Sequence, residues 1–256
     1  MQTVDLNSDL GESYGPWTMG ADAEMLRLVS SANVACGGHA SDPETMYRTL
    51  VLARECGVVV GAHPGYPDIL GFGRRKLPCT PEEAQRFCTA QIGSLMAMAS
   101  LAGTRVRYVK PHGALNNVAA EDAALANALA LGIRAIGGLA LLATAGTELS
   151  KAGHRAGIPT YEEIFADRGY TAQGQLVPRS HPRAMITDPV EAADRLIGFF
   201  RTGLMPTIDG PAIPLKAHSI CIHGDSPHAV SMAQQLRKRL EAEGLTIRSF
   251  LDSGKP

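Results

Sequence analysis

The chain alternates between short apolar runs, often β-branched, and longer helix-like stretches. The runs predict strands over Thr3–Asn7, Ala32–Cys36, Val58–Ala62, Val106–Lys110, Leu139–Ala143, Ile158–Ile164 and Ser219–His223. Their nearly continuous apolar character suits strands covered on both faces. Helix starts are written between them as a capping side chain followed by proline. Asp42-Pro43 opens a helix ending at Gly57. Thr80-Pro81-Glu-Glu83 opens one running to about Gly103, Asp188-Pro189-Val-Glu191 one ending near Gly203, and Ser226-Pro227 one ending at Gly244. Such alternation predicts parallel βα units in one domain over residues 1–256. No Gly-x-Gly-x-x-Gly opens the first unit, so seven strands round a barrel is the first reading and an open doubly wound sheet the second.

Four of the runs stop at a histidine: His39, His63, His112 and His223. The first run ends in Asn7-Ser-Asp9-Leu-Gly-Glu12. Polar side chains at one end of several parallel strands describe a pocket, and in a β/α barrel that end carries the chemistry. Strand alternation sends Asp5, Asn7 and Asp9 to one side, the lumen of a barrel, where a carboxylate needs a partner or a metal. Histidine suits proton transfer and metal binding alike. Asp9, His39 and His63 form a candidate metal set, although no His-Glu-x-x-His is present. Lys110, Arg168 and Arg74-Arg75 add cations suited to a carboxylate or phosphate. The plainer alternatives are a capping role for Asp9 and Glu12, structural histidines, an Arg168 ion pair with Asp167 or Glu163, and a solvated Arg74-Arg75 loop. Two long connections, Pro64–Cys79 and Ala166–Thr187, are candidate binding loops.

Composition narrows the partners. A net charge of −1, a pI near 6.7 and 5% aromatic residues give no basis for nucleic acid or membrane binding. The absence of a leader-like or spanning apolar stretch predicts a cytoplasmic protein. Five cysteines without a Cys-x-x-Cys predict reduced thiols, no disulfide and no cysteine-based zinc site. There is no P-loop and no Gly-x-Ser-x-Gly elbow.

Several phrases together resemble the LamB/YcsF family, the A subunits of 5-oxoprolinase. They are Asp5-Leu-Asn-Ser-Asp-Leu-Gly-Glu12, Asn33-Val-Ala-Cys-Gly-Gly-His39-Ala-Ser-Asp-Pro43, Ala62-His-Pro-Gly-Tyr-Pro-Asp68, Gly71-Phe-Gly-Arg-Arg75, Lys110-Pro-His-Gly-Ala-Leu115, Phe165-Ala-Asp-Arg-Gly-Tyr170 and His223-Gly-Asp225. Two positions depart from the pattern: Asn116 replaces an expected Tyr, and Ser41 stands where Gly is usual. The resemblance implies an irregular seven-stranded β/α barrel related to the polysaccharide deacetylases. It implies ATP-dependent opening of 5-oxoproline to glutamate, with partner subunits B and C. On that chemistry His39 or His63, assisted by Asp9, is the expected base. Lys110 and His112 are expected to stabilise oxyanion or phosphate charge, and Arg168 to hold the substrate carboxylate. Asn7, Glu12, His223 and Asp225 complete the expected substrate wall. Two rivals remain: a metal-dependent deacetylase or amidohydrolase acting without ATP, and a non-catalytic subunit that binds lactam or partners.

Overall fold

A computed structural model describes residues 2–224 and 229–251. In chain order the strands are β1 (Thr3–Leu10), β2 (Ser31–Ala35), β3 (Val59–His63), β4 (Val106–Val109), β5 (Ala140–Thr144), β6 (Thr160–Phe165), β7 (Leu204–Met205), β8 (Ile213–Pro214), β9 (Ser219–Ile222) and β10 (Thr246–Ile247). The helices are α1 (Asp22–Met25), α2 (Pro43–Glu55), α3 (Pro81–Leu101), α4 (Gly113–Glu121), α5 (Ala123–Ile136), α6 (Glu148–Arg155), α7 (Pro189–Thr202) and α8 (Ala229–Ala242).

Seven strands close a parallel barrel in the order β1-β2-β3-β4-β5-β6-β9, sealed by β9 pairing with β1. The open-sheet reading is therefore set aside. β10 adds a short step beside the start of β1, and β7 with β8 forms a separate antiparallel pair. Every predicted strand is present. β1 runs three residues past its predicted end at Asn7, because its polar side chains find partners across the lumen. Val4, Leu6 and Leu10 pack outward under the helices, whereas Asp5, Asn7 and Asp9 face inward. Both faces are buried, one apolar and one polar.

The predicted helix starts at Asp42, Thr80 and Asp188 are N-caps. Thr80 and Glu83 make the reciprocal capping box. The start at Ser226-Pro227 lies outside the described residues. None of the described helices is long and apolar enough to cross a membrane.

Candidate active site

A cavity of about 430 Å³ opens at the C-terminal end of the barrel. Asp9, Glu12, His63, Lys110, His112, Arg168 and His223 line it. Both long loops contribute, the first through Phe72 and Arg74, the second through Arg168 and Gln175–Arg179. His39 is not at the surface of the cavity. It lies behind His112, the two rings stacked with centroids 3.6 Å apart and an interplanar angle of 1°. Asn7 lies below, within the lumen. Asp225 lies outside the described residues.

Lys110 is the centre of a buried ionic group. Its Nζ donates to Asn7 Oδ1 and Asp9 Oδ1 at 3.1 Å and lies 3.0 Å from Glu163 Oε2 and 3.1 Å from Cys221 Sγ. Its three protons are shared among these four acceptors, the Cys221 sulfur included, and none is left over. Burial opposes its charge, but Asp9, Cys221 and Glu163 outweigh that, and Lys110 stays well above the usual lysine range. Asp9 is likewise opposed by burial, yet His63 and Lys110 hold it well below the usual carboxylate range. Asn33 Nδ2 donates to both Asp9 Oδ1, at 2.8 Å, and Asn7 Oδ1, at 2.7 Å, and is itself held by Tyr108. Glu163 is pushed up by burial, only partly offset by Lys110, and its Oε1 has no partner.

The histidines form a second group one layer higher. His63 Nδ1 lies 2.6 Å from the Lys110 carbonyl, and His63 Nε2 lies 3.3 Å from Asp9 Oδ2 and 3.1 Å from His112 Nδ1. His39 Nε2 lies 3.1 Å from Glu12 Oε1, and its buried Nδ1 has no partner. Burial, together with the neighbouring rings, drives His39 well below the usual histidine range and His112 down to about 3. Both are neutral at physiological pH.

One ligand atom each from Glu12, His39, His63 and His112 lies within 4.8 Å of the other three. This differs from the set expected from sequence. Asp9 is engaged by Lys110 and Asn33 and touches the cluster through His63, while Glu12 and His112 take the places next to His39. Donors sharing one ion at about 2.1 Å each stand roughly 3.3 Å apart. The His63–His112 and His39–Glu12 separations of 3.1 Å, and the His112–Glu12 separation of 3.6 Å, suit that spacing. Three imidazoles and a carboxylate favour zinc or a neighbouring transition metal over magnesium or calcium.

On the opposite wall His223 Nδ1 meets both oxygens of Asp167, at 2.8 and 3.0 Å. Burial opposes the Asp167 charge, and His223 outweighs it, lowering Asp167 below its ordinary value. Arg168 makes no direct ion pair with Asp167 or Glu163 among the described residues, although its charge helps to lower Asp167. It donates to the carbonyls of Val177, at 2.6 Å, and Ala184, at 3.3 Å, and burial beside Arg179 brings it down to about 10. Arg75 does not join the pocket; its guanidinium is bound by Asp68. Glu163, Asn33, Tyr108 and Asp167 are the functional neighbours that sequence reasoning did not single out. Two consecutive glutamates, Glu162 and Glu163, inside the predicted β6 run were the signal available for Glu163. The two departures from the family pattern also have structural settings: Asn116 reaches Thr144 Oγ1 at 3.2 Å in the cavity wall, and Ser41 has φ 77°, a conformation glycine takes more easily.

The sequence model of the LamB/YcsF family matches residues 4–254. The chain belongs to the LamB/YcsF family. A relative from Agrobacterium fabrum, named as a 5-oxoprolinase A subunit, is 52% identical over 98% of this chain and 98% of its own length. The 5-oxoprolinase A subunit of Limosilactobacillus fermentum is 47% identical over 97% of this chain and all of its own. The crystal structure of the lactam utilization protein from Thermus thermophilus superposes with a TM-score of 0.91 at 42% identity, covering 97% of this LamB/YcsF chain and 100% of that one.

Proposed function

We propose that this LamB/YcsF chain is the ring-opening subunit of a cytoplasmic, ATP-dependent 5-oxoprolinase, working with partner subunits B and C to convert 5-oxoproline to glutamate. The observation that carries the reading is the full-length match to relatives named as 5-oxoprolinase A subunits, joined to a cavity lined with proton-transfer groups. A lactam carbonyl is a poor electrophile, so transfer of the terminal phosphoryl group of ATP to its oxygen prepares the ring carbon for attack by water; expulsion of the ring nitrogen then leaves an acyl phosphate, which a second water hydrolyses to glutamate and phosphate. The family phrases contain no P-loop, and the reading gives nucleotide handling mainly to the partner subunits.

Within the cavity the Asp9–His63 pair receives the proton from the attacking water. Asp9 is fixed for this by Lys110 and Asn33. Lys110, with its protons already committed, orients Asp9 rather than reaching for an oxyanion as the sequence suggested. His223, oriented by Asp167, protonates the departing nitrogen. Arg168 holds the substrate carboxylate from the second loop, and Asn7 supports Lys110 from below.

Glu12, His39, His63 and His112 would hold a divalent transition metal, which would lower the pKa of a water and polarise the carbonyl. With His63 held there, Asp9 would take the proton alone. The cluster also supports the rival of a metal-dependent amidohydrolase acting without ATP, and one assay separates the two. Purified chain and partner subunits are supplied with 5-oxoproline, with and without ATP, and glutamate is measured. Release is expected only with ATP and the complete assembly, and Asp9→Asn or His63→Ala is expected to lower it by about 100-fold or more. Equal release without this chain, or near-normal turnover by both variants, overturns the proposal.

A further inference from the structure

Phe72, in the loop between β3 and α3, has a φ of 55°. Left-handed backbone is unfavourable for a bulky side chain and persists where the surroundings impose it. Here the imposing contacts are visible. Both oxygens of the Asp68 carboxylate accept from the Arg75 guanidinium, and Oδ1 also accepts from the Gly71 N–H at 3.0 Å. The Asp68 N–H reaches the Gly38 carbonyl, and the Gly73 N–H reaches the Asp68 carbonyl, each at 3.0 Å. Gly73 lies flat against the two stacked rings: a Cβ there would stand 2.7 Å from His39 Cβ and 2.9 Å from His112 Cδ2. The Phe72 ring stands edge-on to His39 and His112, with centroids 5.5 and 5.3 Å away.

These contacts aim one atom. The Phe72 carbonyl oxygen lies 2.9 Å from His112 Nε2. A carbonyl only accepts, so Nε2 carries the ring proton. The Nδ1 of the neutral ring is then bare, and it faces His63 Nε2 at 3.1 Å and Glu12 Oε1 at 3.6 Å. His63 repeats the arrangement, since the Lys110 carbonyl at 2.6 Å takes its Nδ1 proton. His112 Nδ1 thus presents a lone pair to a space bordered by His63 Nε2 and the carboxylates of Glu12 and Asp9, a setting in which a cation would be held.

We infer that left-handed Phe72, clamped by Asp68 and Arg75, is a positioning residue that fixes His112 as its Nε2–H tautomer and so presents Nδ1 as a ligand to the cation of the Glu12–His39–His63–His112 cluster. The ligand role rests on the metal reading above, whereas the tautomer belongs to the metal-free chain and can be read there. Outer groups that orient a liganding histidine typically affect metal affinity by about 10–100-fold.

The test uses the full chain with histidine labelled by nitrogen-15, stripped of metal. Long-range proton–nitrogen spectra assign the His112 tautomer, and competition with a chromophoric chelator gives the zinc affinity. The unaltered chain is expected to show His112 protonated on Nε2. Phe72→Pro, whose φ is held near −65°, and Arg75→Ala, which opens the clamp from its exposed side, are expected to show a tautomer mixture and about tenfold or greater loss of zinc affinity. If Phe72→Pro does not fold, Arg75→Ala decides. An Nδ1–H tautomer in the unaltered chain overturns the inference, as does an unchanged Nε2–H signal in every folded variant. Absence of zinc binding by the unaltered chain overturns the metal reading and the ligand role with it, and the spectra alone still decide the positioning role.

Discussion

Asp5 shows how a polar barrel lumen stores a pH dependence. It is fully buried near the base of the barrel, and hydroxyls of Ser30, Ser31 and Ser219 donate to it. Burial outweighs those bonds and raises its pKa to about 6 from 3.8. The folded state therefore binds the proton more tightly than the unfolded chain. The stabilising effect of the protonated form is complete below the unfolded value, near pH 4, and is lost as the pH rises through 6. A shift of this size corresponds to about 3 kcal/mol. Asp5→Asn is expected to abolish this component, so that the loss of melting temperature from pH 4.5 to pH 7.5 is smaller than in the unaltered chain. Equal losses in the two proteins would show that Asp5 stays ionised throughout. The same lumen explains which site residues the sequence disclosed. His39, His63, His112, Asp9 and Lys110 stood out because each ends an apolar run. Glu163 did not, because it sits inside β6 and its importance comes from Lys110, 53 positions away in the chain. Asp167 was hidden for a similar reason: its partner is His223, just past the end of β9, not the adjacent Arg168.

At the scale of elements, local chemistry was legible where one side chain performs a local task. Asp42 is such a case. Its carboxylate caps α2 by accepting from the Glu44 and Thr45 N–H groups, and its other oxygen accepts from the Gly15 N–H at 2.8 Å. The bond from Gly15 comes first among the causes that bring Asp42 down to about 2. One residue thus starts a helix and ties the β1–α1 loop to it. Asp42→Ala is expected to cost about 1–2 kcal/mol, read as a lower urea midpoint with unchanged slope. Asp42→Asn keeps one accepting oxygen for the cap but sets an NH2 group against the Gly15 N–H, and is expected to recover only the capping part of that loss; a full loss in Asn would assign the effect to the Gly15 bond and the charge instead. Proline-led starts such as Asp42-Pro43 and Thr80-Pro81 announced their helices. The boundary between α4 and α5 carried no proline, and the cap at Asp122 sits inside an alanine-rich stretch. The β7–β8 pair was invisible because two residues per strand leave no periodic signal.

Closure belongs to the whole molecule, and it is the feature local pattern could not decide. The pairing that separates a barrel from an open sheet joins Asp5 to Ser219, 214 positions apart. Nothing in either run specifies the other except that both carry polar residues inward and apolar residues outward. Once closed, the barrel delivers Asp9 from β1, His63 from β3, His112 from the end of β4 and His223 from the end of β9 to one cavity. β9 is therefore a structural keystone as well as a site element. A chain ending at Met205 keeps β1 to β6 but removes β9 and α8, leaving β1 and β6 as open edges. It also removes Ile220, Ile222, Met232, Leu236 and Leu240 from the core. At about 2 kcal/mol for each buried side chain this approaches 10 kcal/mol, comparable to the entire net stability of about 5–15 kcal/mol typical of a domain. The truncated chain is expected to lose near-ultraviolet circular dichroism and a cooperative thermal transition, and to bind a hydrophobic dye. A sharp transition like that of the full chain would mean that six strands form a stable sheet by themselves, and that closure serves to assemble the site rather than to hold the fold.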